Sequence, residues 1–203
     1  FRRVFREHGI PDRIHSDNGS PFASTGIGRL SRVSVQWMRQ GIEVCRSRVG
    51  HPQDNPRHER MHRTLKSQTA RPPSATARAQ QRRFTNFVRW MNEERGHEGI
   101  GMRAPCEMYA SSSREWRERP DEVEYPGSWE VRRVRQGGEI KFQGTHLFLS
   151  TALAGEAVGL HEIDEGIWRV CFRNSVLCFV NTRLDTPTVI AEPPDEEVAE
   201  YNQ

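Results

Sequence analysis

The chain has 203 residues, is 34% hydrophobic and 28% charged, and carries a formal net charge of +3; that is enough for one large domain or two small ones and gives no argument for disorder. No run approaches the roughly 20 apolar residues that span a bilayer, and Arg2, Arg3 and Arg6 lead into no apolar stretch, so neither a membrane span nor a secretion signal is expected. Cys45, Cys106, Cys171 and Cys178 form no C-x-x-C pair and have no matching His cluster, which argues against a zinc knuckle or a disulfide framework and for a reducing cytoplasm.

In chain order, Phe1, Val4 and Phe5 repeat at helical spacing and stop at Gly9 and Pro11. A chain opening inside an amphipathic element is expected to lack residues upstream of Phe1. Arg13 to Ser16 reads as a short strand that ends at Asp17, before the Asn18-Gly19 turn signal. Leu30, Val33, Trp37 and Met38 predict a helix over 29–40 closed by Gly41, and Ile42 to Cys45 a second strand. Asn55-Pro56 suits a cap and first position for a helix to about Thr69. Arg71-Pro72-Pro73 breaks it, and a packing helix from about Ala75 to Glu94 carries Phe84, Phe87, Val88 and Met91 on one stripe.

Residues 111–128 are polar and read as a linker. Beyond it, Trp129 to Val134, Ile140 to Phe142, Leu147 to Leu149, Val158 to Ile163, Trp168 to Phe172 and Val176 to Val180 predict short strands, and a small antiparallel β-barrel over 129–183. The tail over 184–203 has six acids and no Lys or Arg, and is expected to be disordered.

Charge divides along the same line. Residues 1–111 hold 20 Lys and Arg against 10 Asp and Glu, while the remainder holds 10 against 17. A basic half beside an acidic one points to a polyanion for the first, because each phosphate neutralised releases condensed counterions. The plainer alternative is codon bias, since 28 of the 30 basic residues are Arg.

Asp17 and Glu59 are the candidate chemical pair, with 41 residues between them. A strand end and the first turn of a helix can hold two hard oxygen ligands near one point, which suits Mg²⁺. Two such ions about 3.5–4 Å apart can clamp the attacking and leaving oxygens of a phosphoryl transfer.

The run from Ile10 to Phe22, IPDRIHSDNGSPF, resembles the second-acid motif of the integrase catalytic core found in bacterial insertion-sequence transposases and retroviral integrases. The run from Gly50 to Lys66, GHPQDNPRHERMHRTLK, is similar to the segment carrying that family's third acid, and Asn92 to Glu98 resembles its helix ending N-x-x-R-P-H. The resemblance implies an α/β ribonuclease H-like core over 1–110, N-terminally truncated, followed by the small barrel. It implies DDE-type DNA integration or transposition, with Asp17 and Glu59 as catalytic metal ligands for Mg²⁺ or Mn²⁺ in a two-metal site.

On a helix, His62, Arg63 and Lys66 share the face of Glu59 and would meet DNA phosphates. The expected partners are the DNA of mobile-element ends and target, and a second copy or a complementing transposase chain. The setting would be bacterial, cytoplasmic and nucleoid-associated, without membrane contact. The sequence departs from the family pattern at Asp54 and Pro56, where Gln and Gly are common, and it lacks the first acid, so the chain alone is expected to be inactive.

Two other readings compete. In one, the chain is a non-catalytic DNA-binding or dimerising remnant. Trp129, Trp168, Phe142 and Phe172 alternating with Arg132, Arg133, Arg135 and Arg169 would give it a nucleic-acid surface, or else those aromatics are barrel core. In the other, His58-Glu59-Arg60-Met61-His62 spells the H-E-x-x-H of zinc proteases, although Arg57, Arg60 and Arg63 crowd a helix that such enzymes bury.

Overall fold

The computed structural model describes residues 1–24, 26–47 and 56–192, with backbone alone for 56–58. The chain is mixed α/β, beginning with α1 (Arg2–His8), β1 (Arg13–Ser16), α2 (Arg32–Arg39) and β2 (Glu43–Arg46). β1 and β2 pair in parallel, from Arg13 opposite Glu43 to Ser16 opposite Arg46, with α2 in the crossover between them. A parallel pair cannot be joined by a tight turn, which is why a helix lies between the two strands.

α2 starts at a capping box, in which Ser31 accepts from the Ser34 amide and Ser34 Oγ accepts from the Ser31 amide. Its burial is two-sided. Trp37 packs with Phe5, Ile10 and Ile42 and stacks on Phe22, whereas Val35 and Met38 join Leu30 in a cluster shared with the C-terminal sheet.

α3 (Pro56–Thr69) and α4 (Ala77–Arg89) pack against each other as a helical hairpin, and α4 continues into a π turn over Trp90–Glu94. Gln80 fastens the hairpin by donating to the Thr69 carbonyl at 3.0 Å and accepting from the Ser74 amide, and Arg83 donates to the Gln68 and Pro72 carbonyls. Phe87 and Met91 are buried and Phe84 half-buried, but Val88 is 54% exposed, contrary to the single stripe expected. The line through 84, 87 and 91 leaves position 88 on its flank, about 65° from its centre.

The second half contains β3 (Glu130–Arg133), β4 (Glu139–Phe142), β5 (Thr145–Phe148), β6 (Ala157–Asp164), β7 (Ile167–Phe172), β8 (Ser175–Asn181) and β9 (Thr188–Ile190). Five form an antiparallel sheet in the order β3-β6-β7-β8-β9, and β4 and β5 form a separate hairpin. Its two-residue loop, Gln143 and Gly144 with φ of 44° and 82°, has the left-handed backbone that matches strand twist. The hairpin lies against β3 on one side and β9 on the other, but no ladder joins it to either among the described residues, so the expected barrel is not closed. β9 also corrects the expectation of disorder from 184 onward: Thr188, Val189 and Ile190 are β-branched and pair with Phe179 to Asn181, while residues 193–203 lie outside the described ones.

Ile140, Phe142, Leu153, Val158, Leu160, Val170 and Val180 are fully buried, and Phe172 nearly so. Phe142 and Phe172 are therefore core, and Trp168 meets Phe142 edge-on at 5.0 Å. Trp129 instead stacks between Tyr125 and His161 on the sheet.

Residues 111–128 contain no helix or strand but are fastened to the first half. Arg114 donates to the carbonyls of Pro11, Gln40 and Gly41 and to Asp12, Gln40 exchanges two hydrogen bonds with the Arg117 backbone, and Trp116 stacks on Phe5. Among the described residues no helix is long and apolar enough to cross a membrane.

Candidate nucleic-acid site

In parallel sheets, groups gathered for chemistry stand beyond the carboxyl ends of the strands. Asp17 is the first residue after β1, exposed, with Oδ1 accepting from the Gly19 amide at 3.1 Å. That local turn fixes one carboxylate oxygen, as short Asx side chains do. Asn18 donates from Nδ2 to the Ser47 carbonyl at 2.7 Å, and His15 Nε2 lies 3.0 Å from Ser47 Oγ, so the ends of both strands are tied together beneath Asp17.

Two arginines unremarked in the sequence stand at the same edge. Arg29 donates to Asn18 Oδ1 at 3.2 Å, and Arg46, at the end of β2, donates to the Gly28 carbonyl. Burial, and then the neighbouring positive charge of Arg29, push the Arg46 guanidinium below its ordinary value. Ser16 Oγ and the Nε and Nη2 of Arg46 are buried without a hydrogen-bond partner among the described residues. Pattern reading missed this pair because Arg29 follows a Gly-rich turn and Arg46 closes a four-residue strand, and neither belongs to a periodic run. At the opposite end of the strands, a hydrogen bond from Arg13 holds the Glu43 carboxyl below the usual carboxylate range.

Glu59 lies in the first turn of α3 and is exposed, as are His62, Arg63 and Lys66 at three, four and seven positions beyond it. α3 packs on α4, and none of the described hydrogen bonds or ion pairs joins it to β1. Neither Asp17 nor Glu59 enters an ion pair among the described residues. Their hard oxygen donors suit a divalent cation, but no group of three His, Cys, Asp or Glu side chains capable of holding one occurs among the described residues. The motif residues His51, Asp54 and Asn55 lie outside the described residues, and so do the side chains of Pro56, Arg57 and His58. Of the H-E-x-x-H pattern, Glu59 and His62 face solvent, unlike the core-packed helix that a zinc protease needs.

Residues 40–105 match the family model of the integrase core domain. The matched stretch runs from the end of α2 through β2, α3 and α4; it includes Glu59 and stops short of Asp17. Over this segment the chain is similar to an integrase or transposase catalytic core. DNA integration and recombination are thereby the class of process to which the chain points.

Proposed function

We propose that the chain serves DNA strand transfer in integration or transposition, with residues 1–110 as part of a ribonuclease H-like catalytic core and 129–183 as an accessory β unit. The observation that carries this reading is a carboxylate at the carboxyl end of a parallel strand, Asp17, followed by Glu59 in the first turn of a helix inside the integrase-core match.

In this reading Asp17 and Glu59 hold Mg²⁺ or Mn²⁺, which when bound would polarise the phosphoryl oxygens and activate the attacking hydroxyl. His62, Arg63 and Lys66 meet the DNA backbone beside them. Two carboxylates do not complete a two-metal site, so strand transfer would need a further acidic ligand beside Asp17 and Glu59.

Mn²⁺-induced broadening of backbone amide signals tests convergence of the two acids. Signals around residues 17–20 and 59–63 are expected to broaden together at one stoichiometric step, and Asp17→Asn to relieve both. If Asp17→Asn left the broadening near Glu59 untouched, the two acids would not share an ion and the proposal would be lost.

A further inference from the structure

We infer that the outward face of α4 is a second contact surface for the phosphate backbone of duplex DNA, separate from the face of α3. The inference rests on the DNA-handling reading for the identity of its partner.

The sequence from Arg60 to Asn92 contains eight Lys and Arg and no Asp or Glu. With 27 acids in 203 residues, a stretch of that length would ordinarily hold about four. An arginine-rich genome explains many cations but not the absence of acids, so codon bias does not account for this segment.

The fold sorts these cations onto surfaces. The inner side of α4 is occupied by Phe84, Phe87 and Met91, and by Gln80 and Arg83, whose polar atoms are used up in fastening the hairpin. The other side presents Arg78, Gln81, Arg82, Thr85 and Arg89, all exposed. At 3.6 residues per turn, Arg78, Arg82 and Arg89 fall within an arc of about 40°, with Arg82 about 6 Å and Arg89 about 16 Å along the axis from Arg78.

Arg89 has Glu93 at 3.3 Å and Glu94 at 3.9 Å, so its charge is partly matched. Arg78 and Arg82 have no ion pair or side-chain hydrogen bond among the described residues. Two like charges one turn apart repel each other on an isolated helix. A row of phosphates reverses that sign, and a duplex strand offers one about every 3.4 Å along its axis. Gln81, beside this arc, adds a neutral side-chain donor, whereas the Thr85 hydroxyl is turned inward to the Gln81 carbonyl. The contact inferred is with the phosphate backbone, which carries no sequence information directly.

The test is anisotropy of a labelled random-sequence duplex with the full chain, in EDTA, between 50 and 200 mM NaCl. Each phosphate contact adds about 0.9 to the slope of log affinity on log salt. Arg78→Ala with Arg82→Ala is therefore expected to flatten the slope by about 1.8, and wild type to lose about 12-fold more affinity than this variant across the range. Arg78→Lys with Arg82→Lys keeps both charges and is expected to keep the wild-type slope.

An unchanged slope in the double Ala variant, or wild-type binding that ignores salt, would overturn the α4 surface. Because EDTA removes any metal held by Asp17 and Glu59, that failure is distinct from failure of the Mn²⁺ experiment.

Discussion

Replacing Arg114 with Ala removes one side chain that holds three backbone segments together. Its guanidinium donates to the carbonyls of Gln40 (3.1 Å) and Gly41 (2.9 Å), at the end of α2, and to Pro11 (3.1 Å), two residues before β1. The last carbonyls of a helix have no partner within it, and a cation there also meets the negative end of the helix dipole. Hydrogen bonds to a charged donor contribute about 1.5–3 kcal/mol each when buried. Here the Arg114 side chain is 35% exposed, and the freed carbonyls would face an open cleft of about 480 Å³ that water can enter. About 1 kcal/mol per contact is then appropriate, and Arg114→Ala should cost about 2–4 kcal/mol.

The ion pair with Asp12, at 2.7 Å, is a lesser contributor because the Asp12 side chain is 91% exposed. Exposed pairs contribute about 0–1 kcal/mol, so Asp12→Asn should cost less than about 1 kcal/mol. Urea unfolding, comparing midpoints at constant m-value, measures both. If Arg114→Ala cost under about 1 kcal/mol, or Asp12→Asn cost as much as Arg114→Ala, the carbonyl contacts would not be what fastens this segment.

Two further outcomes follow from the β half. A Cβ at Gly159 would stand 2.5 Å from Tyr125 and 2.7 Å from Trp129, so Gly159→Ala should displace that ring stack, lower stability by about 1–3 kcal/mol and shift tryptophan fluorescence, as thermal melts and emission spectra would show. Burial pushes the Cys178 thiol up to about 12, and Cys171 is buried nearby with its thiol also raised, whereas Cys106 is exposed. At pH 8 a thiol reagent should label Cys106 readily and Cys171 and Cys178 only after unfolding; early labelling of Cys178 would contradict its burial. Between pH 9 and 12 the unfolded chain has released the Cys178 proton that the folded one retains, so stability should fall with rising pH by up to about 1.4 kcal/mol per unit.

Local signals carried most of the elements. The strand at Arg13–Ser16, the helix from Pro56 to Thr69 and six strands after residue 129 follow from apolar period, β-branched runs and Gly or Pro punctuation, properties of neighbours in sequence. The placement of Asp17 after a strand and of Glu59 in a first helical turn follows from the same local signals, whereas their choice as a pair came from the motifs around them. β9 was missed because three β-branched residues are outweighed by the acids and prolines around them.

Pairing is not local, and the tertiary structure alone decided it. That β1 and β2 run parallel, that the β4-β5 hairpin makes no ladder with the sheet among the described residues, and that Met38 and Trp37 on one helix serve two different cores all depend on segments far apart in the chain. The same holds for Arg114, which looks like any surface arginine until Pro11, Gln40 and Gly41 converge on it, and for α4, where the inner face had to be filled before Arg78 and Arg82 could be seen to lack a counter-charge among the described residues. Composition fixes how many cations a chain has; only packing determines which of them are left to face a phosphate.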